Sequence, residues 1–162
     1  MSTILGVSRP DQAAYMLRAA ASAPGRAYKQ QLAQLRRVTR PGAVVGLVEP
    51  DWDTLVVDAE DLRTSRAFTR YTSEEVVRHA TIGRSLARLA DKAGFRVETV
   101  AATTPVFRDF EDADHTLGLG RTMQLAIDEG RIDQDRGRRW FTSLSEGPFY
   151  ASFTLVTVMC SR

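Results

Sequence analysis

The stretch Pro41-Gly42-Ala43-Val44-Val45-Gly46-Leu47-Val48-Glu49-Pro50-Asp51-Trp52 decides the fold of this chain. A Pro-Gly turn begins it, an apolar run follows, and acid, proline, acid and indole side chains end it. Such a run is typical of a buried parallel strand that is covered on both faces. Ligands of open α/β sheets bind beyond the carboxyl ends of such strands. We therefore expect a site at Glu49, Asp51 and Trp52, although either acid alone is equally consistent with a solvated residue at the strand end.

The composition of the 162-residue chain indicates one globular domain, with 43% hydrophobic and 26% charged residues. No apolar run approaches the roughly 20 residues that a membrane helix needs, and we expect no secretory signal. Cys160 is the only cysteine, so no internal disulfide can form and we expect a cytoplasmic protein. The formal charge is +2, and we find no basic stripe with aromatics, so we do not expect nucleic-acid binding.

Hydrophobic spacing predicts the elements before the central strand. A short strand is predicted at residues 4–7 and a helix at 13–23, which Pro24-Gly25 would end. A second helix over 26–38 has Tyr28, Leu32, Leu35 and Val38 on one side. The chain passes from this second helix through Pro41-Gly42 into the central strand.

The elements after the central strand are predicted in the same way. Residues 54–71 have a weak pattern, with a short extended piece at 55–57, and are expected to cover the strand ends. Thr72-Ser73-Glu74-Glu75 is a capping box that predicts a helix start, and an apolar stripe predicts a helix over 82–93. A strand at 96–102 then completes a strand, helix, strand unit, which implies parallel pairing. Residues 109–129 are mostly helical, although Gly118 and Gly120 weaken that prediction, Asp133 caps another helix, and 150–159 form a final strand.

Several side chains near the expected site are candidates for chemistry. His79 is a candidate general base or substrate contact, and Tyr71 and Arg78 stand near the predicted cover. Trp52 would stack on a flat ligand or fill a gap in the core. Arg84 is equally consistent with a solvated helix residue. The two histidines and the single cysteine have no metal-ligand spacing, so no metal site is expected.

Over about residues 28–162 the chain resembles the C-terminal half of class I S-adenosylmethionine-dependent methyltransferases of the type 11 or ubiquinone/menaquinone-biosynthesis-like kind. The resemblance rests on Leu35-Arg36-Arg37-Val38, Arg40-Pro41-Gly42 and Glu49-Pro50-Asp51-Trp52 in this order. It implies an α/β fold, with a truncated Rossmann-like sheet, flanking helices and an antiparallel last strand. In that fold the central strand, 96–102 and 150–159 would be the fifth, sixth and seventh strands.

The same resemblance implies the organisation of the chain. It would form a single methyltransferase-like domain with these parts: a remnant of the cofactor half at 1–25, core strands and helices at 26–108, a helical insert at 109–147 that shapes the substrate pocket, and the last strand at 148–162.

The resemblance also implies methyl transfer from S-adenosylmethionine to a small organic substrate, such as a secondary metabolite. Asp51 and His79 would then orient the substrate or remove its proton, with Trp52, Tyr71 and Arg78 as substrate contacts. Glu49 would line the cofactor side, and Ser8 stands where the family has the acid that binds the ribose. The family's glycine-rich loop has no counterpart in this sequence. A cofactor-independent cyclase or isomerase, and a non-catalytic partner subunit on the same scaffold, therefore stay open as alternatives.

Loss of the first and fourth strands of the family fold would leave the central strand with an open edge. Such an edge must be covered, because unpaired backbone groups of an exposed strand invite association. We therefore expect a homodimer, or docking to another subunit, through this edge.

Overall fold

The computed structural model describes residues 8–9, 12–13, 15–17 and 25–162, with side chains from residue 28 onward. The strand predicted at 4–7 lies outside these residues. The helix predicted at 13–23 is wrong where the chain is described, because Gln12–Ala13 and Tyr15–Leu17 are short strands. Tyr15–Leu17 pairs with the central strand, and such tertiary pairing overrides a local helical spacing.

The described residues form seven strands: β1 (Ser8–Arg9), β2 (Gln12–Ala13), β3 (Tyr15–Leu17), β4 (Val44–Val57), β5 (Arg96–Thr103), β6 (Val106–Phe107) and β7 (Ala151–Ser161). Strands β1 and β2 pair antiparallel in a sheet of their own. The others form a five-stranded sheet in the order β3-β4-β7-β5, in which β6 also pairs with β7. Strand β4, the central strand of the sequence, therefore lies inside the sheet.

The strand directions give a mixed sheet. Strand β3 is parallel to β4, and β5 is antiparallel to β7. The amide of Gly42 donates to the carbonyl of Arg162 (2.9 Å), and the amide of Asp58 donates to the carbonyl of Tyr150 (3.0 Å), so β4 and β7 also run antiparallel. The antiparallel last strand is thus confirmed. The predicted pairing of β4 with β5 is wrong, because β7 lies between them.

Six α-helices and one π-helical turn are described: α1 (Gly25–Val38), α2 (Leu62–Tyr71), the turn (Thr72–Val76), α3 (Ile82–Lys92), α4 (Phe110–Leu117), α5 (Leu119–Asp128) and α6 (Gln134–Ser143). Helices α1 and α3 confirm the predictions over 26–38 and 82–93. Asp133 caps α6 as predicted, because its carboxylate accepts from the Arg136 amide. None of the helices described is long and apolar enough to cross a membrane.

One local prediction about a helix start is wrong, and a second helical prediction holds with a break. Thr72 does not cap the start of a new helix, because its backbone continues α2 into the π-helical turn and its hydroxyl donates to the carbonyl of Phe68 (2.9 Å). Residues 109–129 are mostly helical, as predicted, and the helix is divided at Gly118, one of the two glycines that weakened the prediction, where φ is +68° and left-handed. Glycine adopts that conformation without the steric cost that other residues meet.

The chain divides into two compact units. The first comprises Met1–Asp51, Arg78–Thr103 and Thr154–Arg162, and the second comprises Trp52–Val77 and Thr104–Phe153. The core of the first unit joins α1 and α3 to the sheet through Tyr28, Leu32, Val45, Leu47, Leu86, Leu89, Ala90, Phe95, Val156, Val158 and Cys160. The core of the second unit is richer in aromatic residues, and includes Phe68, Tyr71, Trp140 and Phe149.

Burial along β4 follows a two-residue period. Val45, Leu47, Glu49 and Asp51 are buried, whereas the even-numbered residues from 48 to 52 are half-buried. Successive side chains of a strand point to opposite faces, so the four buried residues share one face. The prediction that both faces are covered is therefore wrong beyond Gly46. The buried face of β4 therefore carries the Glu49 and Asp51 carboxylates next to the core residues Val45 and Leu47.

Burial of Cys160 predicts an inert thiol. Burial, and then the charge of Glu98, raise the pKa of Cys160 to about 11, and the thiol donates weakly to the Val45 carbonyl (3.5 Å). Because the thiolate is the reactive form, we expect labelling by a disulfide reagent at pH 8 to be at least about a hundredfold slower in the folded chain than in urea. Cys160 is the only cysteine, so the released thiol reports this site alone. Equal rates in the two states would contradict the buried position.

Candidate functional site

Glu49 and Asp51 lie on the buried face of β4, within the first unit. The prediction that they stand at the carboxyl end of the strand is wrong, because β4 continues to Val57. Their exposed fractions are only 4% and 3%. A carboxylate in such a position costs free energy unless it is paired and hydrogen-bonded. The partner of Asp51 is therefore the first feature of the site to establish.

Arg84 is that partner. Its Nη2 donates to Oδ1 of Asp51 at 2.8 Å, and its Nε donates to Oδ2. The Asp51 side chain is 5% exposed and that of Arg84 is 49% exposed, so the carboxylate is buried and the guanidinium reaches solvent. A bidentate pair of this kind fixes both the position and the orientation of the carboxylate. Arg84 is thus more than the solvated helix residue that the sequence left as an alternative.

Gly83 allows this pairing. A Cβ at Gly83 would lie 3.0 Å from the carbonyl oxygen of Glu49 and 3.0 Å from the carbonyl carbon of Pro50. The first turn of α3 therefore packs directly on the backbone of β4, where a side chain would force the two apart. This close approach brings Arg84, the next residue, within reach of Asp51.

Tyr28 and Gln31 bring further polar groups into the first unit. The Tyr28 hydroxyl and the Gln31 amide oxygen are buried, and neither has a hydrogen-bond partner among the described residues. Burial, followed by the charges of Glu49 and Cys160, raises the pKa of Tyr28 well above its usual value. Tyr28 is therefore a neutral donor close enough to Glu49 to respond to its charge. Sequence reasoning placed it only on the apolar side of a helix.

His79 and Arg78 lie in the turn before α3, also in the first unit. The carbonyl of His79 accepts from the amide of Ile82 (3.0 Å), which ties the turn to the helix. The Nε2 atom of His79 is buried and has no partner in the described part of the chain. Arg78 is exposed. Their proposed roles as proton acceptor and substrate contact stay predictions.

Trp52 and Tyr71 belong to the second unit. The Trp52 ring stacks on Phe153, with centroids 5.5 Å apart and planes 13° apart, and Phe153 stacks in turn on Phe107 at 6.3 Å. Tyr71 is buried, and burial together with its hydrogen bond to Glu129 raises its pKa. One face of Trp52 and the hydroxyl of Tyr71 thus have intramolecular partners already.

Ser8 lies in β1 opposite Ala13 of β2, in the two-stranded sheet. Its side chain lies outside the described part of the structure. Within that part, no group of three or more His, Cys, Asp or Glu residues could hold a metal ion.

Comparison with solved structures relates this fold to known proteins. A candidate methyltransferase from Bacillus halodurans C-125 superposes on 95% of this chain and 73% of its own, with a TM-score of 0.51 and 11% sequence identity. The chain has a methyltransferase fold. A S-adenosylmethionine-dependent methyltransferase from Geobacter sulfurreducens, solved with S-adenosyl-L-homocysteine, aligns over 97% of this chain and 61% of its own. Its TM-score of 0.33, at 16% identity, is too low to support an argument.

Sequence comparison finds a relative without an assigned function. An uncharacterised 37.1 kDa protein of transposon Tn4556 from Streptomyces fradiae is 48% identical over 130 residues. Those residues are 80% of this chain and 38% of that protein, so the chain spans well under half of the relative's length. No protein-family model matches the chain.

The Asp51–Arg84 pair predicts the response of stability to substitution. Arg84→Gln leaves a buried carboxylate without its bidentate partner, so we expect the free energy of unfolding to fall by about 1–3 kcal/mol, measured by urea denaturation. Arg88→Gln, one turn along the same helix and exposed, should change it by less than about 0.5 kcal/mol.

A double-mutant cycle with Asp51→Asn isolates the pair from other effects of Arg84→Gln. The two substitutions should be non-additive by more than about 0.5 kcal/mol. Simple additivity would mean that the two side chains do not interact in solution.

Proposed function

We propose that this chain takes part in S-adenosylmethionine-dependent methyl transfer to a small organic molecule, such as a secondary metabolite. The observation that carries the proposal is the position of the antiparallel strand β7 between β4 and β5. The candidate methyltransferase from Bacillus halodurans supports it through a fold shared over 95% of this chain. The methyl acceptor would then lie in the first unit, beside the Asp51–Arg84 pair.

In the proposed reaction the acceptor atom gains a methyl group and loses a proton. Asp51, fixed by Arg84, would accept a hydrogen bond from the acceptor and hold it in one orientation. The buried Nε2 of His79, without a partner among the described residues, would take the proton. Arg78, in the same unit, remains a proposed contact for the acceptor, and the roles of Trp52 and Tyr71, in the second unit, stay predictions.

The described residues do not by themselves fit the cofactor. Glu49 is a buried carboxylate within β4 and suits a hydrogen-bonding role, but the Ser8 hydroxyl lies outside the described side chains. None of the described strands leads into a glycine-rich turn that would let the backbone approach a ligand closely. Binding of the cofactor would need groups from outside the described residues or from a partner subunit.

This lack of fit favours a second candidate function. A cofactor-independent cyclase or isomerase, or a non-catalytic partner subunit, would keep the Asp51–Arg84 pair and the helical second unit without holding S-adenosylmethionine. The two proposals differ in one measurable property, which is affinity for the cofactor or its product.

Titration with S-adenosylmethionine and S-adenosylhomocysteine tests the first proposal. At a free concentration a hundredfold above the dissociation constant, either ligand should stabilise the folded chain by about 2.7 kcal/mol, visible as a raised melting temperature. Glu49→Gln should weaken this effect, whereas Glu111→Gln, exposed and in the second unit, should not. No shift at millimolar ligand would reject the methyl-transfer proposal and leave the second candidate.

We also propose that a second copy of this chain, or another subunit, covers one edge of the sheet. The predicted fully open edge needs correction, because β3 pairs with β4 along Val45–Leu47. Beyond Leu47 no described strand pairs with β4 on that side. Pro50 has no amide hydrogen to donate, so a partner would cover the edge mainly by packing.

Light scattering tests the edge proposal. At high micromolar concentration we expect a dimer, and Val48→Lys at this edge should shift it towards the monomer because the new charge would be buried. Val100→Lys on β5, at the opposite edge of the sheet, is the matched control and should leave the assembly unchanged. A monomer at every concentration would reject the homodimer.

A further inference from the structure

The charges of the chain are divided unevenly between its two compact units. The first unit contains thirteen lysine and arginine residues and five aspartate and glutamate residues, which gives it a formal charge of +8. The second unit contains nine basic and fifteen acidic residues and has a formal charge of −6. A field of one sign raises the local concentration of ligands of the opposite sign. The first unit, which holds the proposed site of methyl transfer, therefore attracts anions.

The acidic side chains of the first unit offset little of this charge where a ligand would approach the site. Glu49 and Asp51 are only 4% and 3% exposed. Glu98 lies on β5 and forms an ion pair with Arg96 at 2.7 Å. Among the described side chains of this unit, the one other acid is Asp91, near the end of α3. Because both carboxylates of the site are buried, an incoming ligand meets cationic groups before it meets anionic ones.

Arg84 presents its positive charge in a fixed orientation. Asp51 binds the guanidinium through Nε and Nη2, and its own side chain is 5% exposed whereas that of Arg84 is 49% exposed. The buried carboxylate therefore orients a guanidinium that reaches solvent. A cation that is already oriented loses less conformational entropy when it binds an anion than a free side chain does.

Two further polar groups lie in the turn before α3. Arg78 is exposed, and its guanidinium has no hydrogen bond or ion pair within the described part of the chain. The Nε2 atom of His79 is buried and lacks a partner among the described residues. A buried polar atom without a partner costs free energy, which a ligand that bonds to it would remove. His79 thus marks a polar position that the described chain does not fill itself.

The balance of charge distinguishes a carboxylate ligand from a phosphate ester. The Arg84 guanidinium is already paired with Asp51, so among the described groups Arg78 supplies the one unpaired positive charge of the site. A carboxylate carries one negative charge at pH 7, whereas a phosphate monoester carries about two. A dianion would also be repelled more strongly by the buried Glu49 and Asp51. The single charge of a carboxylate is therefore the better match.

We propose that the ligand of this site is a small organic acid whose carboxylate binds at Arg78 and Arg84. This inference rests on the proposed function for the position of the site and names the class of its methyl acceptor. The acceptor would carry a carboxylate separate from the atom that receives the methyl group. The positive field of the first unit would increase its rate of association.

Acetate and acetamide, which have similar shapes and differ in charge, test the proposal. Each is titrated at constant pH and low ionic strength into the ¹⁵N-labelled full chain, with sodium chloride as the reference for a general salt effect. The chain has two histidines, so the imidazole signals of His79 report the site and those of His115, in the second unit, are an internal control. We expect acetate to shift the His79 signals and to bind about fivefold more tightly than acetamide.

Two substitutions separate recognition at the site from the charge of the whole unit. Arg78→Gln should weaken acetate binding by about three- to fivefold and leave acetamide binding unchanged. Arg40→Gln removes the same charge from the same unit at an exposed position before β4, whose first residue lies about 23 Å along the strand from Asp51. It should change neither affinity by more than about 1.5-fold. Thermal unfolding of both variants verifies that the fold is retained.

Four results would overturn the proposal. These are no response of His79 to acetate, a response that sodium chloride reproduces, equal affinity for acetate and acetamide, and a preference for acetate that survives Arg78→Gln. The outcome is distinguishable from that of the methyl-transfer proposal, because the titration contains no S-adenosylmethionine. Acetate binding without cofactor binding would support a carboxylate ligand for the cofactor-independent candidate. Cofactor binding without a response to acetate would reject this inference alone.

Discussion

The buried Asp51 carboxylate is the constraint on which the first unit depends. It shares a strand face with Val45 and Leu47, so the chain must place a negative charge in line with core residues. Removing one partner of a buried ion pair destabilises the fold by more than the intact pair stabilises it, because the remaining charge stays buried without a counter-charge. The start of α3 must therefore stay where the Arg84 guanidinium can reach both oxygens. Gly83, the residue before Arg84, has no side chain, so the first turn of α3 can pack directly against the backbone of β4.

Strong periodic signals carried most of the fold prediction. The apolar run before Glu49 and the stripe from Ile82 to Ala93 identified β4 and α3, because burial of one face leaves a clear pattern in the sequence. Predictions failed where long-range pairing decided the structure. The apolar spacing around Met16 is typical of a helix. The segment nevertheless forms β3, because its backbone pairs in parallel with β4. Thr72 and Glu75 have the spacing of a capping box, but the residues before them were already helical.

The candidate site was predictable in part for a similar reason. Glu49 and Asp51 stand out because acids rarely follow an apolar run, and their burial agrees with a special environment. The sequence left Arg84 between a site residue and a solvated one and did not distinguish Tyr28, since an arginine on an amphipathic helix and a tyrosine on an apolar face are both common. Their significance comes from residues distant in sequence, 33 positions away in the case of Arg84 and Asp51. Only the folded arrangement reveals such a partner.

The long strands β4 and β7 each contribute residues to both compact units. Neither unit is therefore a continuous stretch of chain that a single genetic exchange could transplant. Grafting the second unit onto another scaffold would need four junctions, at positions 51/52, 77/78, 103/104 and 153/154. Two of those junctions, 51/52 in β4 and 153/154 in β7, would cut through a strand and interrupt its pairing within the sheet. Evolution of a new specificity in this protein is accordingly expected to proceed by substitution within the units rather than by their exchange.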